Sequence, residues 1–185
     1  MAPSLFGRLL VATPVMVDPN FDHTVVLVLE HGAEGALGIV LNRPTEADVF
    51  SALPRWESLA AEPTVIFEGG PVSPTAAICL ARAGDAWTER EGWKPLFGGL
   101  GTVDLELAPD EVGAPVEKVR VFAGYAGWGP GQLDDEVEEG AWYVLDALPA
   151  DALSAEPVTL WEAVLRRQGG QLALVANFPP DPSLN

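Results

Sequence analysis

The sequence predicts an α+β fold in a single domain. Stretches with the pattern of β-strands outnumber those with the pattern of helices, and the two kinds do not alternate as they would in a doubly wound α/β sheet. The 17 prolines and 19 glycines predict many turns and short connections. With 185 residues, the chain is long enough to bury roughly 70% of its unfolded surface. Neither a repeat nor a linker divides it, so residues 1–185 are expected to form one domain.

The N-terminal part of the chain contains three predicted strands. Residues 8–13 form the first, and residues 24–29, which are apolar on both faces, are expected to form a central strand. Residues 32–35 begin and end with glycine and lead into a third apolar run at 36–41. The second and third strands are therefore predicted to pair as a hairpin.

The middle of the chain is predicted to mix one helix with further strands. Thr45 is the expected N-cap of the helix, with Asp48 three residues later, and the helix extends to about Leu53. Residues 64–67 and 76–80 are apolar runs of strand length.

A charged and glycine-rich segment follows at residues 84–101. It is expected to form an exposed loop, anchored by Trp87 and Trp93. Residues 102–107 then alternate between apolar and polar side chains, which predicts a strand with one face in water.

The C-terminal part contains predicted strands at residues 119–123, 141–145 and 171–176. Residues 157–168 form the clearest predicted helix, since apolar side chains recur on one face. That apolar stripe consists of Val158, Trp161, Val164 and Leu165.

The stretch from Gly124 to Trp142 is the most informative in the chain, because it combines glycines, two tryptophans and a run of acids. The strand at 119–123 is predicted to end in a tight glycine turn, after which Pro130 starts a short helix. Such a corner is equally suited to a binding site and to a purely structural turn.

The charge balance excludes one class of function. Ten Lys and Arg residues face 27 Asp and Glu residues, giving a net charge of −17. Affinity for nucleic acid comes largely from Lys and Arg that neutralise phosphates, so we expect no direct nucleic-acid binding. Any partner is instead expected to be a small molecule or a protein.

The sequence also bears on the cellular location of the protein and on its cysteine chemistry. No apolar run approaches the ~18 residues needed to cross a membrane, and the N-terminus lacks the basic region of a signal peptide. We therefore expect a cytoplasmic protein that makes no membrane contact. The single cysteine excludes an internal disulfide and a thiolate metal cage, and no cofactor is predicted.

Six short motifs occur in an order typical of one family. They are Asp18-Pro-Asn-Phe21, Glu30-His31, Gly35-Ala-Leu-Gly38, Asn42-Arg-Pro44, Gly69-Gly-Pro-Val72 and Gly124-Tyr-Ala-Gly-Trp128, the last followed by Gly131-Gln-Leu133, Glu136 and Ala141-Trp142. Each is weak alone, but together they are highly specific, and on them the chain resembles the YqgE/AlgH family of bacterial proteins from about Arg8 to Gln168.

The resemblance implies a bent mixed β-sheet, partly closed into a small barrel and surrounded by a few short helices. Some members carry the label of transcriptional regulator, but no established biochemical activity comes with the resemblance. The chain departs from many members in its proline-rich tail at about 177–185, which replaces a Gly-His-Ala ending.

A ligand-binding cleft is predicted where the segments 42–44, 69–72 and 124–136 meet. The candidate binding residues are His31, Asn42, Arg43, Gly69, Gly70, Pro71, Tyr125, Trp128, Gln132 and Glu136.

Each candidate also has a structural interpretation. Arg43 either grips an anionic ligand or pairs with Glu68 or Glu136. The glycines at 69–70 either present N–H groups to an anion or form a tight turn. Gln132 and Glu136 lie on one face of the predicted helix and can line the cleft. In the structural interpretation, the tryptophans belong to the core and Gln132 forms hydrogen bonds with backbone groups of the glycine corner.

The two histidines and the single cysteine give little indication of a metal site or of catalysis. His23 and His31 would lie roughly 25 Å apart on an extended segment, so they cannot share a metal ion. His31 alone remains a candidate for lining a cleft. Cys79 sits within an apolar run and is expected to be a buried, unreactive core residue.

The leading functional hypothesis is a module that binds a small molecule or a protein. One alternative is an enzyme acting on an anionic or nucleotide-like substrate through Arg43, His31 and Glu136, although no nucleophile or metal motif accompanies them. Another is indirect transcriptional regulation through a protein partner. The oligomeric state is left open.

Overall fold

The computed structural model describes residues 2–177. Within them the strands are β1 (Arg8–Ala12), β2 (Val25–Gly32), β3 (Gly35–Val40), β4 (Pro44–Asp48), β5 (Val65–Glu68), β6 (Val72–Ala83), β7 (Trp93–Phe97), β8 (Leu100–Val103), β9 (Val116–Trp128) and β10 (Trp142–Asp146). The helices are α1 (Val49–Ala52), α2 (Gln132–Glu138), α3 (Leu160–Arg166) and α4 (Gly170–Val175), with 3-10 turns at Pro54–Leu59, Pro109–Glu111, Pro149–Leu153 and Pro157–Thr159. The proline-rich tail lies outside the described residues from position 178 onward.

The strands form one curled, mostly antiparallel sheet in the order β10-β1-β2-β3-β9-β6-β8-β7, which closes into a half-barrel. The pair β4 and β5 joins it through β9, and β5 runs parallel to β9. The α+β class and the bent mixed sheet are therefore confirmed. None of the helices within residues 2–177 has the length and apolar character needed to cross a bilayer.

Both faces of β1 and of residues 25–29 in β2 are buried, as the apolar character of residues 24–29 on both faces predicts for β2. Leu9, Leu27 and Leu29 point into a cluster that includes Trp161 of α3. Leu10 and Val26 point to the opposite face, toward Trp128 and Trp142. The hairpin predicted between β2 and β3 is also confirmed.

Strand β9 continues through the predicted glycine corner instead of ending at Ala123. Gly124 has a φ of +77°, and a Cβ there would collide with the carbonyl oxygen of Gly70. The glycine is thus needed for close backbone packing within a continuing strand. The expectation of a turn directly after Ala123 was wrong, because glycine marks the close approach of two backbone segments as well as a turn.

The prediction of a loop over residues 84–101 was also wrong for the second half of this segment, which forms β7 and the start of β8. Gly98 and Gly99 have positive φ and make the turn between these strands. Trp93 is buried and donates from Nε1 to the carbonyl of Ala86 at 3.0 Å, whereas Trp87 is exposed. The strand predicted over 102–107 ends at Val103.

Three details of the predicted helices differ from the structure. Residues 44–48 pair with β5 as a strand, so Asp48 and not Thr45 caps α1, accepting from the N–H of Phe50 at 3.1 Å. Helix α3 begins only at Leu160, which leaves Val158 exposed. Residues 171–176, predicted as a strand, belong largely to α4, because an apolar run this short fits either structure.

Candidate functional site

The predicted binding residues fall into several groups, and the first group, Asn42 and Arg43, lies at the opposite end of β2 from His31. Asn42 and Arg43 follow β3 and contact the turn that precedes β2. His31 lies near the other end of β2, next to α2. Because an extended strand rises about 3.3 Å per residue, Arg43 and His31 are separated by roughly 25 Å.

The polar atoms of the first group are engaged within the fold. Asn42 donates to the carbonyl of His23 at 2.8 Å and accepts from the N–H of Val25 at 3.0 Å. The guanidinium of Arg43 donates to the carbonyls of Pro19, Asn20 and Asp22 at 2.6 to 3.1 Å. Glu68 and Glu136 are absent from the ion pairs of the described chain, so Arg43 holds a turn instead of the expected carboxylate.

Gly69 and Gly70 are buried where β9 crosses them. The N–H of Gly69 donates to the carbonyl of Ala123 at 2.8 Å, and a Cβ on Gly70 would overlap the backbone of Tyr125. These contacts favour close packing over presentation of N–H groups to an anion. Pro71 is exposed and Tyr125 is half-buried beside the paired residue Val72.

The second group is organised around the carboxylate of Glu136. Its Oε2 accepts from the indole N–H groups of Trp128 and Trp142, each at 2.9 Å. Its Oε1 accepts from Gln132 at 3.0 Å, and the Oε1 of Gln132 accepts from the N–H of Gly129 at 3.0 Å. Phe21 stacks against Trp128 with ring centroids 6.1 Å apart. These contacts match the structural interpretation, in which the tryptophans belong to the core.

His31 connects the N-terminal segment to helix α2. Its Nδ1 accepts from the backbone N–H of Leu5 at 2.9 Å, and its Nε2 lies 3.4 Å from Oδ2 of Asp134. An accepting Nδ1 assigns the proton of a neutral imidazole to Nε2, which faces the carboxylate. The ring is only 8% exposed, so both of its nitrogens are committed to contacts within the protein.

Three adjoining cavities meet along the end of β2. Their volumes are about 350, 450 and 380 Å³. The first two share Phe6, Leu29 and Glu30, while the second and third share His31, Gly32 and Ala33. We name the depression formed by these six shared residues the β2 groove.

The two ends of the β2 groove differ in chemistry. One end opens over the inside of the half-barrel and is lined by Leu37, Ile78 and Leu96, with Lys94 beside them. The other end is bounded by Ser4 and by Gly131 and Asp134 at the start of α2.

Comparison with known proteins agrees with this architecture. A family model described as AlgH-like matches residues 9–173. A UPF0301 protein of Streptomyces coelicolor is 56% identical, and the alignment covers 98% of this chain and 96% of that protein. The chain belongs to the AlgH-like family.

Two solved structures resemble this AlgH-like protein. The crystal structure of a protein from Corynebacterium diphtheriae has a TM-score of 0.86 and 32% identity, covering 96% of this chain and 94% of that one. The solution structure of the AlgH protein from Pseudomonas aeruginosa has a TM-score of 0.69 and 31% identity, covering 96% of both chains.

Most of the β2 groove in this AlgH-like protein was missed by sequence reasoning. Leu29 lies at a β-bulge between β2 and β3, a device that re-aims side chains. Leu96 and Lys94 belong to β7, which was predicted as part of a loop because the segment 84–101 is rich in charged residues and glycine. The sequence signal that could have identified β7 was the spacing of Trp93, Pro95 and Phe97 at every second position, since proline is tolerated in an edge strand.

Two buried ionisable groups in this AlgH-like protein serve packing. Burial raises the pKa of the Cys79 thiol to about 12, and Cys79 is a core residue of β6, as predicted. Burial also lowers the pKa of Arg120 to about 10. The Arg120 guanidinium donates to the carbonyls of Ser154 and Glu62 and lies 4.3 Å from the ring centroid of Phe67. Across residues 2–177, no three His, Cys, Asp or Glu side chains are grouped to hold a metal ion.

Proposed function

We propose that this AlgH-like protein is a non-catalytic binding module whose ligand occupies the β2 groove. The observation that carries the proposal is that three cavities, each about 350 to 450 Å³, share lining residues along one strand end. Ligand sites are concave, largely apolar and furnished with a few polar groups, and the β2 groove has this composition. Its apolar end at Leu37, Ile78 and Leu96 would take the apolar part of the ligand.

Binding is favoured over catalysis because the groups suggested for chemistry are separated and engaged. Arg43 lies roughly 25 Å from His31 along β2. The Glu136 carboxylate accepts three side-chain hydrogen bonds, two of them from the indoles of Trp128 and Trp142. A general acid or base must reach the reacting atom, and these groups are directed into the protein.

The cleft predicted from segments 42–44, 69–72 and 124–136 overlaps the β2 groove only at Gly131 and Asp134. We keep binding at Arg43, Pro71 and Tyr125 as a separate proposal, which Arg43→Ala tests. A regulatory role would be indirect and exerted from the cytoplasm through a bound partner. The net charge of −17 supports that form of regulation over contact with DNA.

The test is a thermal-shift screen of a metabolite library, since a ligand that binds only the folded state must stabilise it. Two groove-filling variants, Ala33→Trp and Ala77→Trp, place an indole at exposed positions in the lining. Ala155→Trp, at an exposed position elsewhere, is the matched control. We expect hits to raise the melting temperature of the wild type and the control but not of the filled variants. Equal stabilisation of the filled variants would overturn the proposal.

A further inference from the structure

Resting on the proposed function, we infer that the β2 groove receives an extended basic segment of a partner protein. Such a segment would place lysine or arginine side chains against the acidic positions of the groove and an apolar side chain at its half-barrel end. The inference is carried by the charges of the lining, the shape of the groove and the charge of the whole chain.

The lining carries more negative than positive charge. Glu30 and Glu34 are exposed and line the central cavity, and Asp134 borders the third. Neither glutamate takes part in an ion pair of the described chain. Lys94 is the cation in the lining of the half-barrel end. Cationic side chains of an incoming partner would therefore find carboxylates not already neutralised by a protein cation.

The shape of the groove suits an extended chain. Three cavities follow one another past Phe6 and His31, so an occupant contacting all of them must be elongated. In an extended peptide, successive side chains point to opposite sides, so every second side chain can enter the groove. Basic side chains would meet Glu30 and Glu34, and an apolar one would meet Leu96 and its neighbours.

The charge of the whole chain selects among protein partners. At −17, the surface attracts basic segments over a distance and repels a second copy of itself. A second copy would bring the same excess of acids to the groove, and like charges placed together across an interface are costly. A basic segment from a different protein is thus the occupant that the electrostatics favour.

The test uses short labelled synthetic peptides in which one face of the extended chain carries lysines and, at one end, a leucine, while the other face carries serines. A peptide with glutamates in place of the lysines is the counterpart, and binding is measured by fluorescence anisotropy. Glu30→Gln and Glu34→Gln each remove one groove charge. Glu138→Gln and Glu139→Gln remove the same charge from exposed positions at the end of α2. All four variants have equal net charge, so a difference between the pairs reports location and not total charge.

We expect the basic peptide to bind, and each groove variant to weaken binding about two- to fivefold, the effect of losing one exposed ion pair. The α2 controls should change it little, and Ala33→Trp should abolish it. Equal weakening by the controls, or equal binding of the acidic peptide, would overturn the inference. So would a dimer seen by sedimentation that Ala33→Trp disrupts, since the occupant would then be a second copy.

The two proposals fail in different ways. If the filled variants block library ligands but no basic peptide binds the wild type, the basic segment is excluded while the groove remains a binding site. If the filled variants block neither peptides nor library ligands, the groove itself is not the site and both proposals fail.

Discussion

Trp128 and Trp142 donate their indole N–H groups to the same oxygen, Oε2 of Glu136, each at 2.9 Å. The two indoles come from β9 and β10, and the carboxylate comes from the helix between them. Both tryptophans are buried, so neither N–H has ready access to water in place of Glu136. Glu136 of α2 therefore links β9 and β10 by hydrogen bonds to both.

Removing this carboxylate should destabilise the fold. Glu136→Ala leaves two buried indole N–H groups without an acceptor, at about 1 to 3 kcal/mol each. We expect the free energy of unfolding, measured in urea, to fall by about 2 kcal/mol or more. The control Glu138→Ala, exposed on the same helix, should change it by about 0.5 kcal/mol or less. A stable Glu136→Ala protein with reduced ligand binding would instead favour a direct role in binding.

Arg43 should act through the turn before β2. Arg43→Ala removes three hydrogen bonds to the carbonyls of Pro19, Asn20 and Asp22. We expect about 1 to 2 kcal/mol of lost stability, because partial exposure reduces the value of each bond. Limited proteolysis should cut within residues 18–23 sooner than in the wild type, while ligands of the β2 groove bind unchanged. Lost binding without lost stability would support a ligand at Arg43.

Substitution should destabilise the protein at one glycine of β9 and have little effect at another. Gly124 has a φ of +77° and abuts Gly70, so Gly124→Ala is strained in both conformation and packing. We expect the free energy of unfolding to fall by more than about 1 to 2 kcal/mol, which is the cost of placing a residue with a Cβ in the left-handed region alone. Gly127 is exposed and lies outside that region, and the nearest atom to an added Cβ is 3.7 Å away. Gly127→Ala should leave the melting temperature nearly unchanged, and an equal loss at both positions would contradict this account.

Cys79 should react slowly with thiol reagents in the native state. Its side chain is 1% exposed and its pKa is raised to about 12 from 9.0, which lowers the thiolate fraction about a thousandfold near neutral pH. Labelling by an aromatic disulfide reagent should become fast only in denaturant. A native rate equal to that of free cysteine would show that the strand opens readily.

The same residue should make stability depend on alkaline pH. The folded-state pKa is about 12 and the ordinary value is 9.0, so between these values the native thiol keeps a proton that the unfolded chain releases. Stability from this group is then complete below pH 9 and is lost as pH rises toward 12. The expected slope between pH 9 and 10 approaches about 1 kcal/mol per pH unit in the wild type. Cys79→Ala should lack that component, and identical slopes would refute the assignment.

Duplex DNA should not be bound specifically at physiological salt. The net charge of −17 opposes the phosphate contacts on which such affinity depends. A gel shift with submicromolar protein should show free duplex only. A sequence-selective shift that weakens with added salt would require a different view of regulation in this family.

Local signals were sufficient where neighbours in sequence are also neighbours in space. The glycine-bounded turn between β2 and β3 and the flanking apolar runs predicted their hairpin correctly. The same reasoning failed at β7, which lies in a segment rich in charged residues and glycine, and at α4, whose short apolar run fits a strand equally well. In those segments the partner strand or the packing surface decides the structure, and neither is visible locally.

By itself, the sequence determined the family through the order of its motifs, the α+β class through its many short strands, and the acidic surface through its composition. Only the tertiary structure decided what the candidate side chains do. Glu136 meets Trp142 because β10 returns beside β1, and Leu29 and Leu96 line one cavity because the sheet curls and brings β2 and β7 to the same side. Such contacts depend on how distant strands pair and bend, since hydrogen-bond geometry and burial are properties of the assembled sheet and not of any single segment.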